Sequence, residues 1–171
     1  MNKIKFHSIN VNNAGRIHDL EDKVKEVGTK ILMADGNIIS IDITSGCDAV
    51  IMYEINHMME NDWQKESIPW NEKRSSFKGF SEIPALRFAY LRREVPIYNV
   101  RMNYDEWIKF IEYRCNQCNA IERNKIIGYK TYWNWAIIYY TTMVDCLTGI
   151  EVTDWAPDSI QDVYDKIRNV K

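Results

Sequence analysis

One change of hydrophobic period constrains what this chain can fold into. Up to Met102 apolar residues recur at every second position: "DAVIMYEI" sets Ala49, Ile51, Tyr53 and Ile55 on one side, and "NIISIDI" does the same with Ile39, Ile41 and Ile43. Two such segments joined by the turn "ITSGCD" predict an antiparallel strand pair. After Met102 the spacing becomes helical, with Trp107, Phe110, Ile111, Arg114, Cys118 and Ile121 on one face through about residue 123. Asn103, with Glu106 three residues on, is an approximate capping box for that helix.

Other segments extend this pattern. "KIKFHSINV" alternates as a strand, and "NAGRIHDLEDKVKEVG" carries Ile17, Leu20, Val24 and Val27 at helical spacing and ends on Gly28. "ALRFAYLRR" and "VPIYNVRM" read as strands on either side of Pro96, which favours a sheet edge or a strand start. A helix is expected from about Trp133 to Thr148, stopped by Gly149, and another in "APDSIQDVYDKIRNV" with Ile160, Val163, Ile167 and Val170 on one stripe. The expected class is α+β, a small antiparallel sheet followed by a C-terminal run of helices. A chain of 171 residues fits one domain burying roughly 70% of its unfolded surface. Its expected parts are an N-terminal strand and helix extension (1–36), a sheet (37–102) with a long excursion over 56–81, and a helical part (103–171).

Charge and cysteine content narrow the function classes. The net charge is −2, from 22 basic and 24 acidic residues spread along the chain, so no basic stripe offers itself to nucleic acid. Four scattered cysteines, Cys47, Cys115, Cys118 and Cys146, do not make a disulfide framework. No apolar run has the length of a signal-peptide core or a membrane span. A soluble protein made in a reducing cytoplasm is expected. Abundant isoleucine and asparagine with scarce leucine and alanine fit an AT-rich source such as many phages.

The chemistry-bearing residues are few. "CNQC", Cys115 to Cys118, has metal or redox spacing, but His7, His18 and His57 show no paired spacing that would complete a zinc site. A redox pair belongs at a helix N-terminus, and this one falls inside a helix. Ordinary helix surface and core is the expectation there, with neither metal nor cofactor. His57, in "EINHMMEND", is expected to be a partly buried structural histidine at a strand end. Six tryptophans in one small domain point to binding surfaces as well as core, since tryptophan is enriched at interaction hot spots. The candidate binding residues are Trp63, Trp70, Trp133, Trp135 and Trp155.

Three segments resemble the circularly permuted branch of the NlpC-type, papain-like hydrolases, which includes the lecithin:retinol acyltransferase-like proteins. "NIISIDITSGCDAVIMYEI" is similar to that family's strand, turn and Ser-His-Val-(Gly or Ala)-Ile-Tyr segment. "GYKTYW" is similar to its Gly-x-x-Tyr or Gly-Tyr element, and "YTTMVDCLTGIEVTDWAPDSIQDVYDKI" resembles its Cys-Thr-Ser-Phe-Val helix followed by a Pro-x-x-Leu helix. The resemblance spans about Asn37 to Lys171 and implies a permuted papain-like fold. It sets Asp48 where the family has its histidine and Tyr140 where it has its cysteine nucleophile. A tyrosine hydroxyl of pKa about 10 and a carboxylate of pKa about 3.9 do not replace a thiol and an imidazole near neutral pH.

The resemblance therefore implies a catalytically inactive module, structural or protein-binding, and in a phage setting a virion or assembly component with protein partners or self-association. An active thiol hydrolase or acyltransferase with a rearranged site would have to use Cys47 or Cys146 with His57. On a helix, Cys146 would point about 120° from Tyr140 and lie roughly 9 Å further along the axis. A third alternative is a small-ligand binding protein that uses the vestigial cleft.

Overall fold

The computed structural model describes residues 1–11, 17–44, 47–69, 81–153, 155 and 157–169, leaving aside the side chains of residues 17 and 18. Ser45, Gly46, Trp70 and Val170, and the side chains of Ile17 and His18, thus lie outside the described residues. The chain divides into two units, 1–87 with 141–152, and 88–140 with 153–171. The class is α+β, as expected.

In the first unit the alternating segments pair as the periodicity predicts. Strand β3 (Asp48–Asn56) lies between β1 (Asn2–Asn10) and β2 (Asn37–Thr44), antiparallel to both. Ala49, Ile51, Tyr53 and Ile55 are all buried on one face of β3. On β2 a bulge between Ile38 and Ser40 moves the pleat by one residue. Ile38 and Ile43 are buried in consequence, and Ile39, expected on the core face, is exposed.

Helix α1 (Ile17–Met33) covers β3 with Leu20, Val24, Val27 and Ile31, one buried residue every turn. The helix does not end at Gly28 as expected. Gly28 sits inside it because a Cβ there would lie 2.5 Å from Leu86 Cδ2 and 3.2 Å from Ile38 Cδ1. Termination comes one turn later. Asp35 adopts a left-handed conformation (φ 60°), and the Gly36 and Asp35 amides donate to the Ile31 and Leu32 carbonyls at 2.9 and 3.1 Å.

The described part of the 56–81 excursion is ordered by one aromatic ring. Trp63 opens a short 3-10 turn and is 1% exposed. Its indole N–H donates to the Tyr53 hydroxyl at 3.0 Å, and its ring meets His7 and Tyr53 edge-on. Trp63 is a core residue, not the binding-surface residue expected, because the turn folds it back against the sheet.

In the second unit, helix α2 (Tyr104–Asn119) has the predicted capping box, with both Asn103–Glu106 hydrogen bonds at 2.9 Å. Trp107, Phe110, Ile111, Arg114 and Cys118 are buried on its predicted face. The pair β5 (Glu94–Val95) and β6 (Val100–Arg101) flanks a 3-10 turn that Pro96 starts, so "VPIYNVRM" is a tight hairpin and not one strand. Helix α3 (Ile160–Asn169) buries Val163 and Tyr164, with Ile160 and Ile167 packed beside them.

The largest correction within the helical part expected over 103–171 concerns the helix expected from about Trp133 to Thr148. After α2 come strands β7 (Lys125–Thr131) and β8 (Trp135–Asp145), and β8 lies between β4 (Glu82–Arg92) and β7 in a three-stranded sheet. β4 and β8 each contribute residues to both units. Ala136, Ile137, Ile138, Tyr139 and Tyr140 are all buried. A strand buried on both faces shows no alternation, so periodicity cannot tell it from a buried helix. Gly149, expected to stop a helix, is a left-handed residue (φ 69°) in the turn after β8. The Asp145 carboxylate organises this turn by accepting from the Leu147 and Thr148 amides, both at 2.9 Å.

Gly36→Ala is expected to lower the unfolding free energy by about 1–3 kcal/mol in urea titration, since its Cβ would meet the Ile31 backbone oxygen at 2.8 Å. Gly28→Ala should cost less, because the end of the Leu86 side chain can move aside.

Candidate functional site

The buried run of β8 places alternate side chains on opposite faces, so Ala136, Ile138 and Tyr140 share one. Ala136 and Ile138 pack into the cluster formed with Trp107, Phe110, Val163 and Tyr164. Tyr140, further along the same face, borders a cavity of about 460 Å³ that lies within the second unit. Ala89 and Leu91 of β4 and Phe110 of α2 supply apolar wall, and Trp155 and Pro157 line it from the segment before α3. The Trp155 ring stands edge-on to Tyr140, with centroids 5.4 Å apart and planes at 83°.

The polar side chains of this lining are Arg92, Arg114, Trp155 and the tyrosines Tyr90 and Tyr140, and none of them is acidic. Arg114, four residues after Phe110 on α2, is 7% exposed and lines the cavity. Its guanidinium lies 4.9 Å from the centre of the Phe110 ring, and Nη1 donates to Gln117 Oε1 at 2.8 Å. No carboxylate forms an ion pair with it among the described residues. Burial pulls the guanidinium below its usual pKa, while the charges of Asp158 and Tyr113 act the other way; a guanidinium nonetheless stays protonated at neutral pH. Asp158 is engaged elsewhere, accepting from Lys166 Nζ and the Tyr113 hydroxyl at 3.2 Å each. Lys166 first and Tyr113 second hold the Asp158 carboxyl below the usual range. The Trp155 Nε1–H is buried and without a hydrogen-bond partner among the described residues. Arg92, exposed, adds a second cation to the lining.

The residues singled out for thiol chemistry fall elsewhere. Asp48, at the start of β3, is exposed and accepts a hydrogen bond from Asn10 Nδ2 in the first unit, whereas Tyr140 belongs to the second. Tyr140 is not on a nucleophile helix, since its backbone is β8, and Cys146 follows that strand in a turn instead of sitting two turns along a helix. Cys47 and His57 flank opposite ends of β3, so they are roughly 30 Å apart at the ordinary rise of a strand. His57, expected to be partly buried, is exposed, with Nδ1 3.3 Å from the Met1 carbonyl oxygen. These two cannot work as a nucleophile and its base.

Cys115 and Cys118 occupy the last turn of α2, where the helix dipole opposes a thiolate. Burial first, then the Glu112 charge, pushes the Cys115 thiol above its usual pKa. Among the described residues no three His, Cys, Asp or Glu side chains gather as metal ligands, and no helix is long and apolar enough to cross a membrane.

Of the tryptophans expected to bind, Trp155 lines the cavity. Trp135 is stacked on Tyr132 at 4.2 Å, and Trp133 is 66% exposed with the Arg101 guanidinium 4.3 Å from its ring centre. Sequence reasoning assigned Arg114 to the apolar face of α2 without giving it a role. The signal was available, because a charged residue on a buried stripe requires a counter-charge or a ligand. Comparison with family models, with curated proteins and with solved structures returns no match.

With the native fold intact, Cys115 is expected to react with iodoacetamide at pH 8 at least tenfold more slowly than a free thiol, and to reach the free-thiol rate in denaturant. Peptide mapping by mass spectrometry measures both rates.

Proposed function

We propose that the chain works by binding and not by thiol catalysis, and that the seat of binding is the second-unit cavity bordered by Tyr140 and Trp155. The carrying observation is the lining of that cavity. It is an apolar space of about 460 Å³ with a few converging polar groups, the usual make-up of a small-molecule site. Tyr140, the position at which the resemblance expects a nucleophile, is part of its lining. A papain-like ancestry that has lost its reactive residues is compatible with this reading, which does not depend on it.

A thermal-shift screen of the full chain against small aromatic and aliphatic compounds, charged and neutral, tests the reading. A ligand present at a hundred times its Kd should stabilise the fold by about 2.7 kcal/mol, an upward shift of several degrees. A screen in which no compound moves the transition sinks it.

Protein partnership or self-association is the second reading, and one observation favours it. Trp133, in the β7–β8 turn, is two-thirds exposed beneath the Arg101 guanidinium, and tryptophan and arginine are the residues most enriched at interaction hot spots. A place in a phage particle would belong to this reading and stands on composition alone. Sedimentation velocity should show the wild-type chain self-associating or co-sedimenting with proteins encoded beside it, and Trp133→Ala should weaken that association at least tenfold. A wild-type chain that stays monomeric and alone removes this reading.

A further inference from the structure

Burying a cation without a counter-charge is costly, and native structures avoid it unless something else supplies the charge. Arg114 is close to that position, since Asp158 acts on it only at a distance and no carboxylate among the described residues forms an ion pair with it. It is held inside the second unit by the Phe110 ring, its one hydrogen bond among the described residues goes to the neutral Gln117, and it lines a cavity to which no acidic residue among those described contributes. In the same lining, Trp155 carries a buried indole N–H with no acceptor among the described residues. A buried N–H left unpaired costs about 1–3 kcal/mol. Two residues that line one cavity thus carry donors, one charged and one neutral, and among the described residues the first has no anionic acceptor in contact and the second has no acceptor at all.

Resting on the binding reading above, we propose that this cavity takes an organic monocarboxylate with an apolar, flat body. The Arg114 guanidinium pairs with the carboxylate, the Trp155 Nε1–H donates to the same group, and the rings of Phe110, Tyr140 and Trp155 enclose the body. The planar fork of a guanidinium matches a carboxylate in geometry. A single negative charge fits better than a phosphate dianion, because one buried cation faces the cavity and the field of Asp158 already offsets part of its charge. Arg92, exposed in the lining, is placed to attract such an anion from solution.

Titration calorimetry of the full chain with naphthalene-1-acetate and with its neutral amide, naphthalene-1-acetamide, tests this proposal. The acid is expected to bind at least tenfold more tightly than the amide, in keeping with about 1.5–3 kcal/mol for a hydrogen bond to a charged group. Arg114→Gln should remove that preference, while Trp155→Phe, which keeps a ring and loses the donor, should weaken the acid more than the amide. Should Arg114→Gln not fold, the indole N–H resonance of Trp155, assigned by its loss in Trp155→Phe, must move when the wild-type chain is titrated with the acid. A tripeptide ending in phenylalanine, with its C-terminus free or amidated, shows whether a chain terminus or a free acid is the better source of the carboxylate. Equal binding of acid and amide overturns the carboxylate and leaves the binding reading standing. Failure of every compound to bind overturns both.

Discussion

The burial of the Ala136–Tyr140 run of β8 is the constraint on which the second unit depends. Its residues Ala136 to Tyr140 are buried without a break, so each must find apolar neighbours on whichever face it points to. On one face the cluster of α2 and α3 closes over Ala136 and Ile138. On the other, Tyr139 stands edge-on to Phe88 with centroids 4.9 Å apart. Several aromatic and branched side chains buried in one strand represent, at about 1.5–3 kcal/mol each, a driving force comparable to the net stability of a whole domain. β8 also lies between two strands, which satisfies its backbone on both edges.

The same strand creates the candidate site. One face of β8 is filled by small and branched side chains as far as Ile138, and where Tyr140 follows, the wall is completed by Phe110, Arg114 and Trp155 and leaves a space. A cavity bordered by a buried guanidinium is not a packing defect of the ordinary kind, since a defect would carry no charge. The polarity of the lining separates a site from a void: donors with incomplete partners are costly in an empty protein and useful in one that holds an anion.

Two of the thiol arrangements the sequence offered lack the geometry for catalysis. Cys47 and His57 are separated by the length of β3, and Cys115 is half-buried near the C-terminal end of a helix with the Glu112 charge acting on it. The likeness of "YTTMVDCLTGI" to a nucleophile helix is one of residues and not of backbone. β-Branched and aromatic residues dominate Trp135 to Val144, and these favour strands. That propensity is the local mark of the strand in the sequence.

Where one face of an element is wet, the sequence alone determined its structure. The alternation in β3, the heptad-like face of α1 and the Asn103–Glu106 cap are written locally, because water on one side forces a visible period and a cap needs only residues three apart. Three features needed tertiary structure. The presence of a glycine inside α1 answers to the close approach of Leu86, the strand state of β8 depends on β4 and β7, which both precede it in the chain, and the cavity depends on Arg114, Tyr140 and Trp155 meeting from separate parts of the chain. These are long-range events, and a residue buried on every side carries no mark in its own sequence of which neighbour buries it.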